Sequence, residues 1–357
     1  MSTAIDFHCH GVGDFDLSFP RDTDLFQVDR ILKLEGIAVV LVFSLPQSQL
    51  EHFEALLETY RAARQRREIC NILGIALEGP VLSLVGGTPE SGCWNPTRAQ
   101  WERIAALGPK GLVYCVLSPD CEVNAGAGHP DNIGWVARTL SCQGVMPALG
   151  HFKKHDPKRS AAAITEMCES LARDGLGPLI TDHLFNDMPL NFKHSWRTAA
   201  EKSNRAAELA SILGDEWSVE TIEDKLGPVP AAIVRQAWLG HLKVCLNFDG
   251  DHVDIDICKK AVDLIGAENV ILMTDRIAGH RFGGRRLSTR PDNTLLYQDQ
   301  KIVAGGTQTV VSQLGNMLRA GIGSEAVYRI AFDNPRALLR DRKPDGRRVG
   351  QVLEFAK

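Results

Sequence analysis

The sequence predicts an α/β fold, a closed (β/α)8 TIM barrel, on three observations. Eight short apolar runs alternate with longer amphipathic stretches along the 357 residues. Strict strand–helix alternation implies parallel pairing, and eight such units suit a closed ring better than an open doubly wound sheet, the alternative. Five of the eight runs finish in His, Glu or Asp, at the end of the strands where barrel enzymes carry their chemistry. Burying that many polar groups there without use would be costly.

In chain order the runs span residues 5–10, 37–43, 72–78, 112–117, 145–151, 179–183, 242–248 and 270–275. Each is short, and several are rich in Val and Ile, as expected of parallel strands covered on both faces. Between them the apolar spacing predicts helices over 50–67, 97–107, 157–173, 196–213, 255–265 and 324–332. Pro157 stands where a helix should start and Pro335 where one should stop. One connection departs from the pattern. Residues 191–240 are too many for a simple crossover; they carry helical Ala/Glu/Leu patterning and then Gly227-Pro228-Val229-Pro230 as a break. The segment is expected to be a lid-like insertion over the barrel mouth, within a single domain spanning residues 1–357.

A hydrophobic fraction of 44% suffices for one large core, and a net charge of -4 gives no electrostatic reason to expect nucleic acid or a membrane surface. The basic blocks Arg64-Gln65-Arg66-Arg67 and Arg285-Arg286 are shorter than a nucleic-acid footprint. No leader-like stretch opens the sequence, and no apolar run approaches the ~20 residues of a membrane span. The nine cysteines are odd in number and include no CxxC pair. These features predict a cytoplasmic protein with reduced thiols that acts on a small molecule. Assembly as a homodimer is left open.

His8-Cys9-His10 is the first chemical signal. Residues i and i+2 of a strand share a face, so both imidazoles can grip one metal ion. Asp6 would fall on that face too, either orienting a ligand histidine or serving as a strand-start carboxylate. Glu78 closes the third run, and Gly79-Pro80 turns the chain at once, leaving the carboxylate at the rim. His151 after Leu149-Gly150 and His183 after Thr181-Asp182 end the fifth and sixth runs. One such histidine is commonly structural; two on neighbouring strands, with the HxH pair and a strand-end Glu, describe a divalent metal site. Zinc is the first expectation, with iron, manganese or cobalt compatible with the same nitrogen and oxygen donors, in one or two ions. Asp275 ends the eighth run. Beside a cation its ionised form is favoured, making it the candidate general acid/base that takes a proton from water and delivers it to a leaving nitrogen.

A wider set of motifs surrounds these residues. Asp6-Phe7-His8-Cys9-His10-Gly11, Leu77-Glu78-Gly79-Pro80, Leu149-Gly150-His151 and His183-Leu184-Phe185-Asn186-Asp187-Met188-Pro189 follow one another along the chain. Then come Asp249-Gly250-Asp251-His252-Val253-Asp254, Met273-Thr274-Asp275 and Asn334-Pro335-Arg336-Ala337-Leu338. In this ordered set the chain resembles the amidohydrolase superfamily, and within it the N-acetylglucosamine-6-phosphate deacetylases. The resemblance implies a barrel of the metal-dependent hydrolase type. Glu78, His151 and His183 would hold the main ion, His8 and His10 a second where two are present, with Glu78 bridging. Asp275 would be the acid/base, His252 would touch the substrate near the reacting group, and Asn186 and Asp187 would line a sugar pocket. The implied activity is hydrolysis of a non-peptide C–N bond, deacylating an amino sugar or related amine. Cyclic-amide or ester hydrolysis, and a catalytically silent binding protein on the same scaffold, are the alternatives.

Three features depart from that pattern. The sequence opens on the first barrel strand, so the small β-sandwich usual in the family is expected to be absent or vestigial. Gly92-Cys93-Trp94-Asn95-Pro96 puts Trp94 where the family has a substrate-contacting histidine. His194 stands near the place of a phosphate-gripping arginine, with Lys193 or Arg197 as substitutes. Arg276, just after the acid/base, could hold a substrate carboxylate or a salt bridge within its loop. Without a bidentate arginine and with an apolar indole face, the expected substrate is an unphosphorylated or bulkier N-acyl amine.

Overall fold

A computed structural model of the chain describes residues 3–123, 128, 130, 132–177, 179–193, 199–214, 216–298 and 302–341. All eight apolar runs form strands. β1 (Ile5–Val12), flanked by the two-residue β2 (Phe15–Asp16), is followed by β3 (Ala38–Phe43), β4 (Ile72–Leu77), β5 (Leu112–Leu117), β6 (Met146–Leu149), β7 (Leu179–Thr181), β8 (Leu242–Asn247) and β9 (Val270–Met273). Leaving β2 aside, each strand pairs in parallel with the next from β1 to β9. The continuation of β9, β10 (Arg276–Ile277), returns to pair in parallel with β1, Cys9 opposite Arg276. The sheet is therefore curled, and the chain leaving its last strand meets its first.

Side chains divide accordingly. On β3, Val39, Leu41 and Phe43 belong to the large apolar cluster shared with the helices, while Ala38, Val40 and Val42 belong to a second cluster to which all eight parallel strands contribute. That is the period-two alternation of a strand buried on both faces, and the second cluster fills the inside of the curl.

The helices are α1 (Leu25–Glu35), α2 (Leu50–Gln65), α3 (Arg98–Ala105), α4 (Ile133–Cys142), α5 (Pro157–Arg173), α6 (Ala199–Gly214), α7 (Ile222–Leu226), α8 (Pro228–Trp238), α9 (Ile255–Ile265), α10 (Val310–Arg319), α11 (Ser324–Tyr328) and α12 (Asn334–Asp341). Their ends carry the expected chemistry. Asp24 caps α1 by accepting from the N–H groups of Phe26 and Gln27, and Gly36 at φ 70° closes it. Thr97 and Gln100 form a capping box on α3.

Two prolines were expected to do the opposite of what they do. Pro228 opens α8 instead of breaking the chain, because an N–H at the first helical turn has no partner to lose. Helix α8 then packs against α5 and β8, so the end of the 191–240 segment is part of the helical layer. Pro335 lies in the first turn of α12 for the same reason. The sequence also gave no warning of a run of short strands beyond β10: β11 (Arg281–Phe282), β12 (Arg285–Arg286), β13 (Ser288–Thr289), β14 (Leu295–Gln298) and β15 (Ile302–Gly306). Of these, β15 pairs with β10, and β14 and β13 follow outward. Among the described residues no helix is long and apolar enough to cross a membrane. None of the nine cysteines forms a disulfide.

Candidate metal centre

The ends of the parallel strands converge. His8 and His10 lie on β1, Glu78 directly follows β4, and His151, His183 and Asp275 each lie two residues beyond β6, β7 and β9. His151 and Asp275 adopt the left-handed backbone region, φ 56° and 55°, at about 1–2 kcal/mol each for residues bearing a Cβ. For Asp275 two main-chain bonds hold that conformation: its N–H donates to the His8 carbonyl (3.0 Å), and its carbonyl accepts from Gly306 N–H (2.8 Å).

The register of β1 against β3 shifts between Asp6 and Cys9. Phe7 and His8, adjacent in sequence, consequently both reach the ring of Tyr114, at centroid distances of 5.8 and 6.1 Å. Asp6 instead turns towards the end of β9. It accepts from the Thr274 hydroxyl (2.5 Å), the Thr274 N–H (3.0 Å) and the His8 N–H (3.2 Å). It thus orients His8 through the backbone, not through the ring, and ties the first strand to the last. Burial lifts its pKa to about 6, against the opposing bonds from Thr274.

Two groups of buried donors result. In the first, Glu78 Oε1 is 2.7 Å from His151 Nε2, and Asp182 Oδ2 is 3.1 Å from both His151 Nε2 and His183 Nε2. In the second, His8 Nε2 is 2.9 Å from His10 Nε2, which is 3.4 Å from Asp275 Oδ1. Glu78 joins them, its Oε2 lying 3.0 Å from His10 Nε2. The outer ring nitrogens are anchored: His10 Nδ1 faces the Val42 carbonyl at 3.2 Å and His151 Nδ1 the Leu84 carbonyl at 2.8 Å. An N–H donated to each carbonyl leaves Nε2 free to bind inward.

Charges here support one another. Burial alone would lower His8, but Asp182 and Asp275 override it and lift the ring to about 9; His151 is likewise held well above its ordinary value, against burial, by Asp182 and Glu78. Burial would raise Glu78 and Asp182, yet His10 and His151 hold the first, and His183 and His8 the second, below the usual carboxylate range. Neither oxygen of the buried Asp182 takes a directed hydrogen bond from a described residue. Asp182 stands instead among three histidine nitrogens at 3.1 Å. With those rings neutral, as metal ligands are, such a carboxylate is expensive without a cation. Separations of 2.7–3.9 Å among the first group's donors bracket the ~3.3 Å between ligands held about 2.0 Å from a tetrahedral ion. The residues fit a divalent cation.

A cavity of about 820 Å³ opens over the centre, its wall including His183, Asn186, Asp187, His252, Asp275 and Phe282. His252 Nδ1 is 2.5 Å from Asp249 Oδ2, and its Nε2 lies 3.5 Å from Asp275 Oδ2. The Asn186 amide nitrogen is buried with no partner among the described residues.

The structure therefore brings together His8, His10, Glu78, His151, His183 and Asp275, and sets Asn186, Asp187 and His252 around the cavity. Trp94 and Arg276 are placed elsewhere. Trp94 donates its indole N–H to the Leu45 carbonyl (2.8 Å) beside Pro80 and is not part of this cavity wall, so its apolar face is not offered there. Arg276 makes a two-pronged pair with Glu35 (2.7 and 2.8 Å), the salt-bridge alternative, and also lies off the wall. His194 and Arg197 lie outside the described residues; Lys193 does not line the cavity. Sequence reasoning missed Asp182, for which the only signal was its place beside His183. It also missed Asp249 behind His252, and the basic Lys154 and Arg285 on the cavity wall.

No family model and no curated protein matches this chain. Solved structures do. N-acetylglucosamine-6-phosphate deacetylase from Pasteurella multocida superposes with a TM-score of 0.68 at 15% identity, over 96% of this chain and 77% of that one. The enzyme from Mycobacterium smegmatis, as a D267A mutant in complex with N-acetyl-D-glucosamine-6-phosphate, gives 0.66 at 20% identity over 95% and 77%. That from Thermotoga maritima gives 0.62 at 17% over 96% and 80%. The chain resembles the N-acetylglucosamine-6-phosphate deacetylases in fold.

Proposed function

We propose that the chain is a metal-dependent amidohydrolase on a closed (β/α)8 barrel, removing the acyl group from an amino sugar or related amine. The observation that carries this reading is the pair of joined His/carboxylate groups at the strand ends, opening through Asp275 and His183 onto one cavity. Glu78, His151 and His183 would hold one divalent ion and His8 and His10 a second, with Glu78 between them. Zinc leads, and iron, manganese or cobalt suit the same donors. A divalent ion there supplies Lewis acidity, favouring loss of a proton from water and polarising the acyl carbonyl.

The chain's own residues do the rest. Asp275 accepts the proton of the attacking water and returns it to the leaving nitrogen, so that the acyl carbon gains hydroxyl and the amine gains hydrogen. Asp249 fixes the His252 ring so that Nε2 points towards Asp275, where it can bind the acyl oxygen as negative charge develops. Asn186, with its buried unpartnered amide, and Asp187 would hold the polar groups of the substrate. Helix α6 serves as a lid: its buried Arg205 pairs with Asp254, two residues beyond His252, tying α6 to the loop that presents that ring. The enzyme is cytoplasmic and needs no nucleic-acid or membrane partner.

The test is a panel of N-acyl amines, neutral, carboxylate-bearing and phosphorylated, offered to the protein before and after metal removal. Metal-dependent release of acid from at least one member, at kcat/KM near the ~10⁴ M⁻¹s⁻¹ of ordinary enzymes, is expected. No acid released from any member by the metal-loaded protein would overturn the reading.

A further inference from the structure

We infer that Asp182 is a fourth protein ligand, and that the ion held by Glu78, His151, Asp182 and His183 is the tightly bound one of two. The inference rests on the metal centre proposed above. Asp182 is 1% exposed, and neither of its oxygens accepts a directed hydrogen bond from a described residue. Its Oδ2 is equidistant, at 3.1 Å, from the Nε2 atoms of His151 and His183. A carboxylate in that position has histidines as its neighbours on one side and a second carboxylate, Glu78, across the group. Metal binding requires neutral rings, and two buried like charges among neutral rings are then offset only by the cation they hold. The fold also makes room for it. A Cβ on Gly150 would stand 2.6 Å from the Asp182 Cβ, so glycine is required on the neighbouring strand's end for Asp182 to lie there.

Counting donors separates the two sites. Glu78, His151, Asp182 and His183 form a group of four, His8, His10 and Asp275 a group of three. Glu78 also reaches the second group, its Oε2 lying 3.0 Å from His10 Nε2, but Asp275 there is the acid/base. The second ion is left with His8, His10 and Glu78 and an exchangeable position, whereas the first has four protein donors, a closed tetrahedral set of the kind that holds an ion permanently. The four-donor site fills first. The exchangeable position belongs to the His8–His10–Asp275 side, where Asp275 reaches the cavity. The other Asp182 oxygen, Oδ1, lies 3.1 Å from His8 Nδ1, so the same carboxylate also faces a ligand of the second ion.

The experiment is an equilibrium titration of the metal-stripped full chain with Zn²⁺, read by competition with a chromophoric chelator and by elemental analysis after dialysis. Wild type should show a tight and a weaker stage. Asp182→Asn, which keeps the shape and removes the charge, should weaken the tight stage at least ~100-fold, beyond the usual effect of an outer-shell partner. His10→Ala should leave the tight stage in place and abolish the weaker one. Circular dichroism of the stripped variants confirms that they fold, and Asp182→Glu, which retains the charge, should recover part of the affinity. An unchanged tight stage in Asp182→Asn, with the same stage lost in His151→Ala, overturns this inference and leaves the metal centre standing. No Zn²⁺ bound by wild type overturns both.

Discussion

Filling the site that contains His8 should release a proton. In the metal-free protein burial disfavours the His8 cation, but Asp182 and Asp275 outweigh it and lift the ring to about 9. Near pH 7 the ring is therefore charged and must lose its proton before its nitrogen can bind an ion. About two pH units below that value, roughly 1% of rings are neutral. The apparent affinity of the His8–His10 ion is then lowered ~100-fold, about 2.7 kcal/mol. Its association constant should climb ~10-fold per pH unit above about pH 7 and level off once the pH passes about 9. Stability of the metal-free fold moves the other way. The pairing of protonated His8 with Asp182 stabilises fully below the ordinary value of 6.5 and is lost as the pH rises through about 9. Competition with a chromophoric chelator across that range measures the slope. Calorimetry in buffers of different ionisation enthalpy counts the protons released. An affinity flat with pH, or binding without proton release near neutrality, would refute the reasoning.

Further outcomes follow from the same geometry. Asp275→Asn should lower kcat at least ~100-fold, as loss of a general acid/base does, while main-chain bonds to His8 and Gly306 keep the thermal melt near wild type; a near-normal kcat would move proton transfer elsewhere. Arg276→Met leaves the Glu35 carboxylate to water, to which it is already exposed, and should cost no more than about 1 kcal/mol in urea unfolding, with KM unchanged for neutral and acidic substrates alike. A rise in KM for acidic substrates alone would return Arg276 to the site. Replacing α6 by a short linker in an Asp254→Asn background should damage kcat/KM more than stability, whereas Ile233→Asp, at a fully buried position of α8, should destabilise the whole fold. Equal loss of stability in both would make α6 structural.

The eight strands were legible because parallel strands covered on both faces read as unbroken apolar runs. The residues of the candidate metal centre drew attention because they sit where those runs stop. Proline was read correctly at Pro157, which opens α5, but Pro228 and Pro335 read as breaks, although a first-turn proline costs a helix nothing. Helix α4 is mostly buried, so it lacks the polar stripe that marks an amphipathic helix. Asp182 escaped because neighbours on a strand face opposite ways, and His183 had already claimed the inward place. In fact β7 ends at Thr181, and beyond it the alternation no longer binds, so both side chains turn into the centre. The Arg276–Glu35 pair and the Asp6–Thr274 bonds join residues more than two hundred positions apart, a distance that no local pattern encodes. Asp6 illustrates the same limit within β1. Its expected face followed from alternation, and the register shift beside it removed that premise.

The claim beneath all of this is that the strand ends hold metal. Anomalous scattering from a crystal of the protein grown with Zn²⁺, measured above and below the zinc edge, tests it most directly. Two peaks are expected, one among Glu78, His151, Asp182 and His183, the other beside His8, His10 and Asp275. Anomalous peaks only at surface residues, with the strand-end histidines bonded to water and to one another, would contradict it.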